Sequence, residues 1–352
     1  MRNLSVIFSF LLFGILLSCN RDTGETAANP FIIEIPFGFP QFDLPDDNPM
    51  TVEGIALGKK LFYEKQLSGD NSQSCGSCHQ AAKAFSDTGA VSIGIDGISG
   101  DRSAMPLVNV LWADNFFWDG RAKSLENQAL GPVVNPIEMH ETWPNAVSKI
   151  QDDPQYSILF KKAFDTNIVD SILIAKAIAQ FERTLISGNS KFDKYLRGET
   201  DLTGAEFAGL DLFLIEGPID GNPNGADCFH CHGMPLFTDH LFHNNGIDEE
   251  SEWTDLGLYE ISNNPLDKAK FKTPTLRNIA FSAPYMHDGR FKTLEEVIDF
   301  YNTGGHTSTT LDPLMKNPDT GLLLSPENKA NLIAFLHTLS DSSFITNPAF
   351  QE

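Results

Sequence analysis

The two stretches that decide the fold of this chain are Cys75-Gly76-Ser77-Cys78-His79 and Cys228-Phe229-His230-Cys231-His232. Each has the form Cys-x-x-Cys-His, the attachment sequence of a c-type haem. The two thiols bond to the vinyl groups of the haem, and the histidine that follows is placed to bind the iron. A redox Cys-x-x-Cys pair or a zinc site also uses cysteines at this spacing, but neither needs a histidine after both motifs. The sequence therefore predicts two covalent haem c groups, attached through Cys75, Cys78, Cys228 and Cys231, with His79 and His232 as iron ligands.

The fifth of the five cysteines, Cys19, follows a short apolar segment. Residues 1–18 begin with a positive flank at Arg2 and are too short for a spanning helix, which is typical of a signal peptide. The stretch Leu16-Leu17-Ser18-Cys19 resembles the processing box of bacterial lipoproteins, and an ordinary secretory signal is the alternative. We therefore expect an exported protein, on the periplasmic side or in the cell envelope, with a lipid on Cys19 as its membrane contact.

The length after this segment suits two domains of ordinary size. Residues 19–49 are rich in Pro, Asn and Asp and are expected to form a tether. We place the first domain at 50–200 and the second at 201–345. The formal net charge of −22 argues against nucleic acid as a partner and favours a basic docking partner. Simple solubilisation of an exported protein explains the charge equally well.

The two halves also repeat each other outside the haem motifs. Matching pairs are Gly58-Lys59-Lys60-Leu61-Phe62 with Gly209-Leu210-Asp211-Leu212-Phe213, and Asp119-Gly120-Arg121 with Asp288-Gly289-Arg290. In each half an asparagine, Asn109 or Asn278, lies ten residues before the Asp-Gly-Arg. The repeat predicts a mainly α protein of two tandem cytochrome c-like domains with long loops. Each domain is expected to hold one haem that faces the domain interface.

Helical patterning agrees with this interpretation. Apolar residues recur at helical spacing in 168–185 and 326–339, and the second segment opens with Ser325 as N-cap and a proline in the first turn. A further helix is expected to begin near Leu294. The remaining Gly, Pro and Asn residues indicate loops, and no region is rich in strand signals.

With these features in place, the sequence resembles the bacterial di-haem cytochrome c peroxidase family, including its MauG-like branch. The segments that carry the resemblance are Phe117-Trp118-Asp119-Gly120-Arg121-Ala122, Gln128-Ala129-Leu130-Gly131-Pro132 and Ala283-Pro284-Tyr285-Met286-His287. The resemblance implies that the N-terminal haem reacts with hydrogen peroxide. The C-terminal haem would relay electrons from a small donor cytochrome or cupredoxin.

The resemblance also assigns roles to individual side chains. Trp118 matches the aromatic residue between the haems, and its indole is a good electron relay. Gln128 and Glu138 match the residues beside the peroxide-binding iron, where an amide can hold peroxide and a carboxylate can move a proton. A core aromatic, a surface amide and a helix cap are the plain structural alternatives. Further cofactor contacts are expected from Arg121, His287 and Arg290, the arginines at haem propionates or in surface ion pairs.

One departure from the family concerns the N-terminal haem. Many members have a blocking histidine in the loop after Ser-Ile-Gly, whereas Ser92-Ile93-Gly94 is followed here by Ile95. An isoleucine side chain cannot bind iron. We therefore expect this haem to be open at rest and to need no reductive activation. His140 is the substitute ligand to consider, although a position on a loop fits it better.

A second departure concerns the C-terminal haem. The usual methionine ligand is replaced by Tyr301, as in MauG. A phenolate favours ferric iron, whereas a methionine thioether raises the reduction potential. The alternatives are that Tyr301 is a core aromatic and that another side chain binds the iron. The competing donors are Met286, His306 and Met315.

Family members bind a calcium ion between the domains. In this chain Ser103 stands at the position of the asparagine ligand of that site. The backbone carbonyls that match the other ligands belong to Ser282 and Pro284. Calcium accepts carbonyl oxygens, but loss of the asparagine side chain weakens the site.

Three functions follow from these features. The leading hypothesis is a peroxidase that reduces hydrogen peroxide to water. The second is MauG-like, peroxide-dependent oxidation of residues on a partner protein. The third is a non-enzymatic di-haem electron carrier, against which Ile95 argues because both irons would need protein ligands.

Overall fold

The computed structural model describes residues 28–318 and 320–352. The expected signal peptide (1–18) and Cys19 lie outside these residues. The helices are α1 (Val52–Phe62), α2 (Cys75–Cys78), α3 (Leu125–Val134), α4 (Trp143–Asp152), α5 (Pro154–Phe164), α6 (Ser171–Glu182), α7 (Lys191–Leu196), α8 (Gly204–Leu214), α9 (Tyr259–Ser262), α10 (Leu294–Thr303), α11 (Pro326–Thr338) and α12 (Ser342–Ile345). Strands β1 (Phe242–His243) and β2 (Phe271–Lys272) pair antiparallel. The mainly α prediction is confirmed. Over the described residues no helix is both long and apolar enough to span a bilayer.

The predicted helices begin where their capping residues lie. Asp170 precedes α6 and its carboxylate accepts a hydrogen bond from the backbone N–H of Leu173. Ser325 precedes α11 and accepts from the N–H of Asn328. These side chains satisfy backbone donors that a helix start leaves free.

Two hydrophobic cores repeat the same construction. Helix α1 crosses α6 in the first core, and α8 crosses α11 in the second. At the first crossing the ring centroids of Phe62 and Phe181 lie 5.3 Å apart, and at the second those of Phe213 and Phe335 lie 5.2 Å apart. The repeat predicted from the sequence is therefore also a repeat of packing.

The cores exchange residues across the expected domain boundary at 200. Phe192 on α7 packs in the second core, although it precedes that boundary. Phe344 and Phe350, near the C-terminus, pack in the first core. The Tyr63 hydroxyl donates to the Phe350 carbonyl at 2.6 Å, which fixes the tail on the first half.

A few residues of the expected tether, within 30–49, pack against the rest of the protein. Ile33 and Phe39 are buried, and the Trp112 indole donates to the Pro40 carbonyl at 3.0 Å. The guanidinium of buried Arg277, from the second half, lies 4.5 Å from the Phe39 ring centre. Some apolar side chains of the expected tether are therefore buried against both halves, while others, such as Ile32 and Phe37, are exposed.

Glycines allow the closest approach at both helix crossings. A Cβ placed at Gly58 would lie 1.8 Å from the Ala177 carbonyl oxygen, and one placed at Gly209 would lie 1.9 Å from that of Asn331. Any side chain at these positions therefore forces the helices apart.

The Gly209→Ala variant should lose about 1–3 kcal/mol of unfolding free energy, because the added methyl group overpacks the crossing. Gly204→Ala in the first turn of the same helix is the matched control, since its methyl group meets nothing within 4 Å. Chemical denaturation followed by far-UV circular dichroism compares the two. Wild-type stability in Gly209→Ala would show that the crossing is looser than described.

Candidate functional site

The first haem motif lies on α2 and in the turn after it. The Nδ1 atom of His79 lies 2.8 Å from the carbonyl oxygen of Phe85, a residue with a left-handed φ of 59°. Burial lowers the pKa of His79, opposed by the Phe85 carbonyl and then by the charge of Glu138. The imidazole is thus neutral with Nδ1 as donor, so that Nε2 carries the free lone pair that an iron ligand needs.

The second motif repeats this arrangement. The Nδ1 atom of His232 lies 3.2 Å from the carbonyl oxygen of Phe237, which has a φ of 55°. Burial lowers the pKa of His232 to about 4. Burial also raises the pKa values of Cys228 and Cys231 to about 12. A redox Cys-x-x-Cys pair needs a lowered thiol pKa, so these residues fit covalent haem attachment better than redox chemistry.

A cavity of about 900 Å³ opens beside the first motif. Its lining includes Cys75, Cys78 and His79, together with Trp118, Gln128 and Glu138. The volume is large enough for a cofactor. The residues therefore fit a haem c bound through both thiols, with the two expected distal side chains facing the same space.

Glu138 is held in place by its own loop. Its side chain accepts a hydrogen bond from the Asn135 amide at 2.6 Å, and its carbonyl accepts from the N–H of Ile95 at 3.0 Å. Gln128 on α3 lines the same cavity. A positioned carboxylate next to an amide provides a proton acceptor and a hydrogen-bond donor.

Ile95 and His140 lie on two separate loops that meet beside Gly69. Ile93 and Gly94 line the cavity, while the Cδ1 atom of Ile95 lies near Gly69. His140 is exposed, and its Nδ1 atom lies 2.5 Å from a carboxylate oxygen of Asp96. His140 therefore lies at the surface next to a carboxylate, as expected for a residue on a loop.

At the second motif the structure brings together two of the four candidate iron ligands. The Asn245 amide nitrogen lies 3.2 Å from the Tyr301 hydroxyl and 3.9 Å from the Met286 sulfur. Burial raises the pKa of Tyr301 to about 12, opposed by the hydrogen bond from Asn245. His306 is exposed, and its Nδ1 atom lies 3.8 Å from a carboxylate oxygen of Glu249. The backbone N–H of Met315 donates to the Asp312 carbonyl in a turn.

Trp118 lies where the two halves meet. It is buried, and its indole N–H donates to the Ser103 carbonyl at 2.9 Å. Its ring meets the His287 ring edge to face, with centroids 6.5 Å apart, and His287 stacks on Phe271 at 3.7 Å. An aromatic series therefore runs from the first half into the second.

Ser103 joins the halves through direct hydrogen bonds. Its N–H donates to the His287 carbonyl at 2.7 Å, and its hydroxyl donates to the Met286 carbonyl at 2.9 Å. Ser282, by contrast, donates its hydroxyl to Ile279 at 3.3 Å. The expected calcium site with Pro284 stays a prediction.

The two predicted propionate ligands have protein partners. The Arg121 guanidinium lies 3.5 Å from the Phe117 ring centre and donates to Asp119 at 2.8 Å, at the cavity wall. Arg290 donates to Asp248 at 2.7 Å and to Asp288 at 2.6 Å. These contacts favour the ion-pair interpretation for Arg290.

Sequence reasoning missed four charged or polar side chains around the cavity. Arg102 bridges Asp119 of the first half and Asp255 of the second, at 2.5 and 2.7 Å. The other three line the cavity and are Glu182, His240 and Lys272. Burial raises the pKa of Glu182 to about 8. Only Glu182 had a local signal, as an acidic residue at the end of the apolar face of α6.

The chain is similar to known proteins over most of its length. The family model for di-haem cytochrome c peroxidase matches residues 52–201. The chain is 33% identical to cytochrome-c peroxidase IdrP1 of a Pseudomonas species, over 95% of this chain and 92% of that protein. It is 35% identical to methylamine utilization protein MauG of Methylorubrum extorquens, over 86% of this chain and 83% of that protein.

A solved structure has the same overall fold. It is a MauG-like protein associated with microbial copper homeostasis, with a TM-score of 0.84 and 36% sequence identity. The match covers 91% of this chain and 99% of that chain. The duplicated attachment motifs and these full-length similarities lead to one conclusion: the chain belongs to the di-haem cytochrome c peroxidase family of oxidoreductases, with haem c as its cofactor.

Proposed function

We propose that the protein reduces hydrogen peroxide to water at the first haem motif, with electrons that enter at the second motif and pass through Trp118. The observation that carries this proposal is the shared cavity of His79, Gln128 and Glu138. When bound, the haem supplies the iron at which the peroxide bond is cleaved. The side chains supply the hydrogen bonds and the proton transfer.

Glu138 is suited to general acid–base chemistry. Cleavage of peroxide requires a proton to leave one oxygen and to reach the other, which then departs as water. The Asn135 amide fixes the Glu138 carboxyl, so that its free oxygen can accept and return that proton. The Gln128 amide orients peroxide or water by hydrogen bonding.

Trp118 is suited to electron relay. Its indole is buried, so solvent does not have to reorganise around it when charge passes. Its contact with His287 and the hydrogen bond from its ring to Ser103 supply a continuous path to the second half. We propose that Trp118 is the relay between the two haems.

The donor and the location follow from charge and from the N-terminal segment. A formal net charge of −22 favours a basic cytochrome or cupredoxin as electron donor, because opposite charges speed docking. We place the protein on the periplasmic side or in the cell envelope. The proposed anchor is a lipid on Cys19.

A second candidate function is MauG-like oxidation of residues on a partner protein. The observation that favours it is Tyr301 beside the second motif, with Asn245 donating to its hydroxyl. A tyrosinate ligand would stabilise oxidised iron. The two functions differ in where the oxidising equivalents go, and both use the same peroxide site.

The fully ferric protein should react with hydrogen peroxide without prior reduction, because Ile95 cannot bind iron. Stopped-flow absorption of the ferric protein mixed with peroxide measures this directly. The Ile95→His variant is the matched comparison and should respond only after one electron is added. No spectral change in the wild type would instead favour a closed site and an electron-carrier role.

The Glu138→Gln variant should keep both haems but lose about a hundredfold in peroxide turnover, since proton transfer loses its carboxylate. Glu327→Gln, at an exposed position in the first turn of α11, is the control. Steady-state oxidation of a reduced donor measures turnover, and pyridine haemochrome spectra measure haem content. Wild-type turnover in Glu138→Gln would assign that carboxylate a structural role.

The Tyr301→Phe variant should raise the reduction potential of the second haem, because it removes an anionic donor and leaves the ring. Redox titration followed by absorption spectroscopy measures the potential. Met286→Leu serves as the comparison, since its sulfur lies near the same Asn245 amide. A shift in Met286→Leu with none in Tyr301→Phe would identify the methionine as the ligand.

A further inference from the structure

The second half of the chain forms one wall of the first cavity. Strands β1 and β2 pair so that Phe242 lies opposite Lys272, and the N–H of Lys272 donates to the Trp118 carbonyl at 2.9 Å. A Cβ placed at Gly120 would lie 2.4 Å from the Phe242 ring. The strand pair therefore packs closely against the first half. Lys272 on β2 and His240, which lies two residues before β1, both line the cavity.

Lys272 is a buried cation without an anionic neighbour in hydrogen-bond contact. The residue is 6% exposed. Its ammonium donates to the Asn115 carbonyl and lies 5.4 Å from the Phe116 ring centre. Neither neighbour carries a full negative charge. A buried ammonium is costly unless an anion or several acceptors compensate it.

The imidazole of His240, which lines the same cavity, has one ring nitrogen available for a hydrogen bond. Its Nε2 atom is buried and has no hydrogen-bond partner among the described residues. Burial, followed by the positive charge of Lys272, lowers the pKa of His240 to about 4. A neutral imidazole with a proton on Nε2 would donate one hydrogen bond into the cavity.

The chemistry of the pair indicates a carboxylate ligand. A carboxylate accepts several hydrogen bonds and compensates a buried ammonium at short range. Haem c carries two propionate carboxylates, and the cavity that contains His240 and Lys272 is the one that contains Cys75, Cys78 and His79. We infer that Lys272 and His240 bind a propionate of the N-terminal haem, so that the second half holds the cofactor of the first.

This inference depends on the haem at the first motif and not on peroxide turnover. A cation beside the propionate stabilises the reduced haem relative to the oxidised haem, because reduction removes one positive charge from the iron. Lys272 is therefore a positioning residue that also tunes the reduction potential of the first haem.

The test compares purified holoprotein variants by redox titration and resonance Raman spectroscopy. In Lys272→Gln the reduction potential of the N-terminal haem should fall, the potential of the C-terminal haem should stay, and the propionate bending mode should shift. Lys272→Arg should restore the wild-type reduction potential of the N-terminal haem and the wild-type propionate bending mode. Lys270→Gln is the matched control, because Lys270 lies in the same segment but pairs with Asp267 at 3.3 Å.

His240→Leu provides an independent measurement if Lys272→Gln does not accumulate. This variant keeps the positive charge of Lys272. The propionate bending mode should therefore shift while the reduction potential of the N-terminal haem stays unchanged. Unchanged potential and bending mode in Lys272→Gln would overturn the inference and leave Lys272 as a structural ligand of the Asn115 carbonyl. An unchanged bending mode in His240→Leu would likewise overturn the role of that imidazole.

Discussion

An axial histidine works only when one ring nitrogen is held and the other is left free. In both halves the Nδ1 atom of the motif histidine lies next to a backbone carbonyl of a residue with a left-handed φ, an arrangement that would meet this constraint. Phe85 provides it for His79 and Phe237 provides it for His232. Both phenylalanine side chains are fully buried in their helical cores, so the core packing fixes the direction of the carbonyl.

The junction between the halves makes the two sites interdependent. Ser103 and Arg102 join the halves through hydrogen bonds and ion pairs, and Trp118 lies between them in contact with His287. The N-terminal segment and the C-terminal tail add packing of one half on the other. Such a junction holds the Trp118 indole at a fixed position, as the proposed electron relay would require.

Much of this organisation follows from local sequence. The internal repeat and the capping residues of α6 and α11 can be recognised in the sequence, and the structure agrees with them. The packing of residues 30–49 could not be predicted from the sequence, because their apolar side chains have no regular spacing. The wall built by His240 and Lys272 was missed for another reason. Burial of a charged side chain depends on which distant segment covers it, and no local pattern records that.

We propose that the two haem sites differ in their sixth ligand. Ile95 would leave the first iron without a side-chain ligand on that side, and Tyr301 or Met286 would bind the second. The electron paramagnetic resonance spectrum of the resting ferric protein tests this most directly. We expect one high-spin signal, which one equivalent of hydrogen peroxide removes, and one low-spin signal. Two low-spin signals that peroxide leaves unchanged would contradict the account.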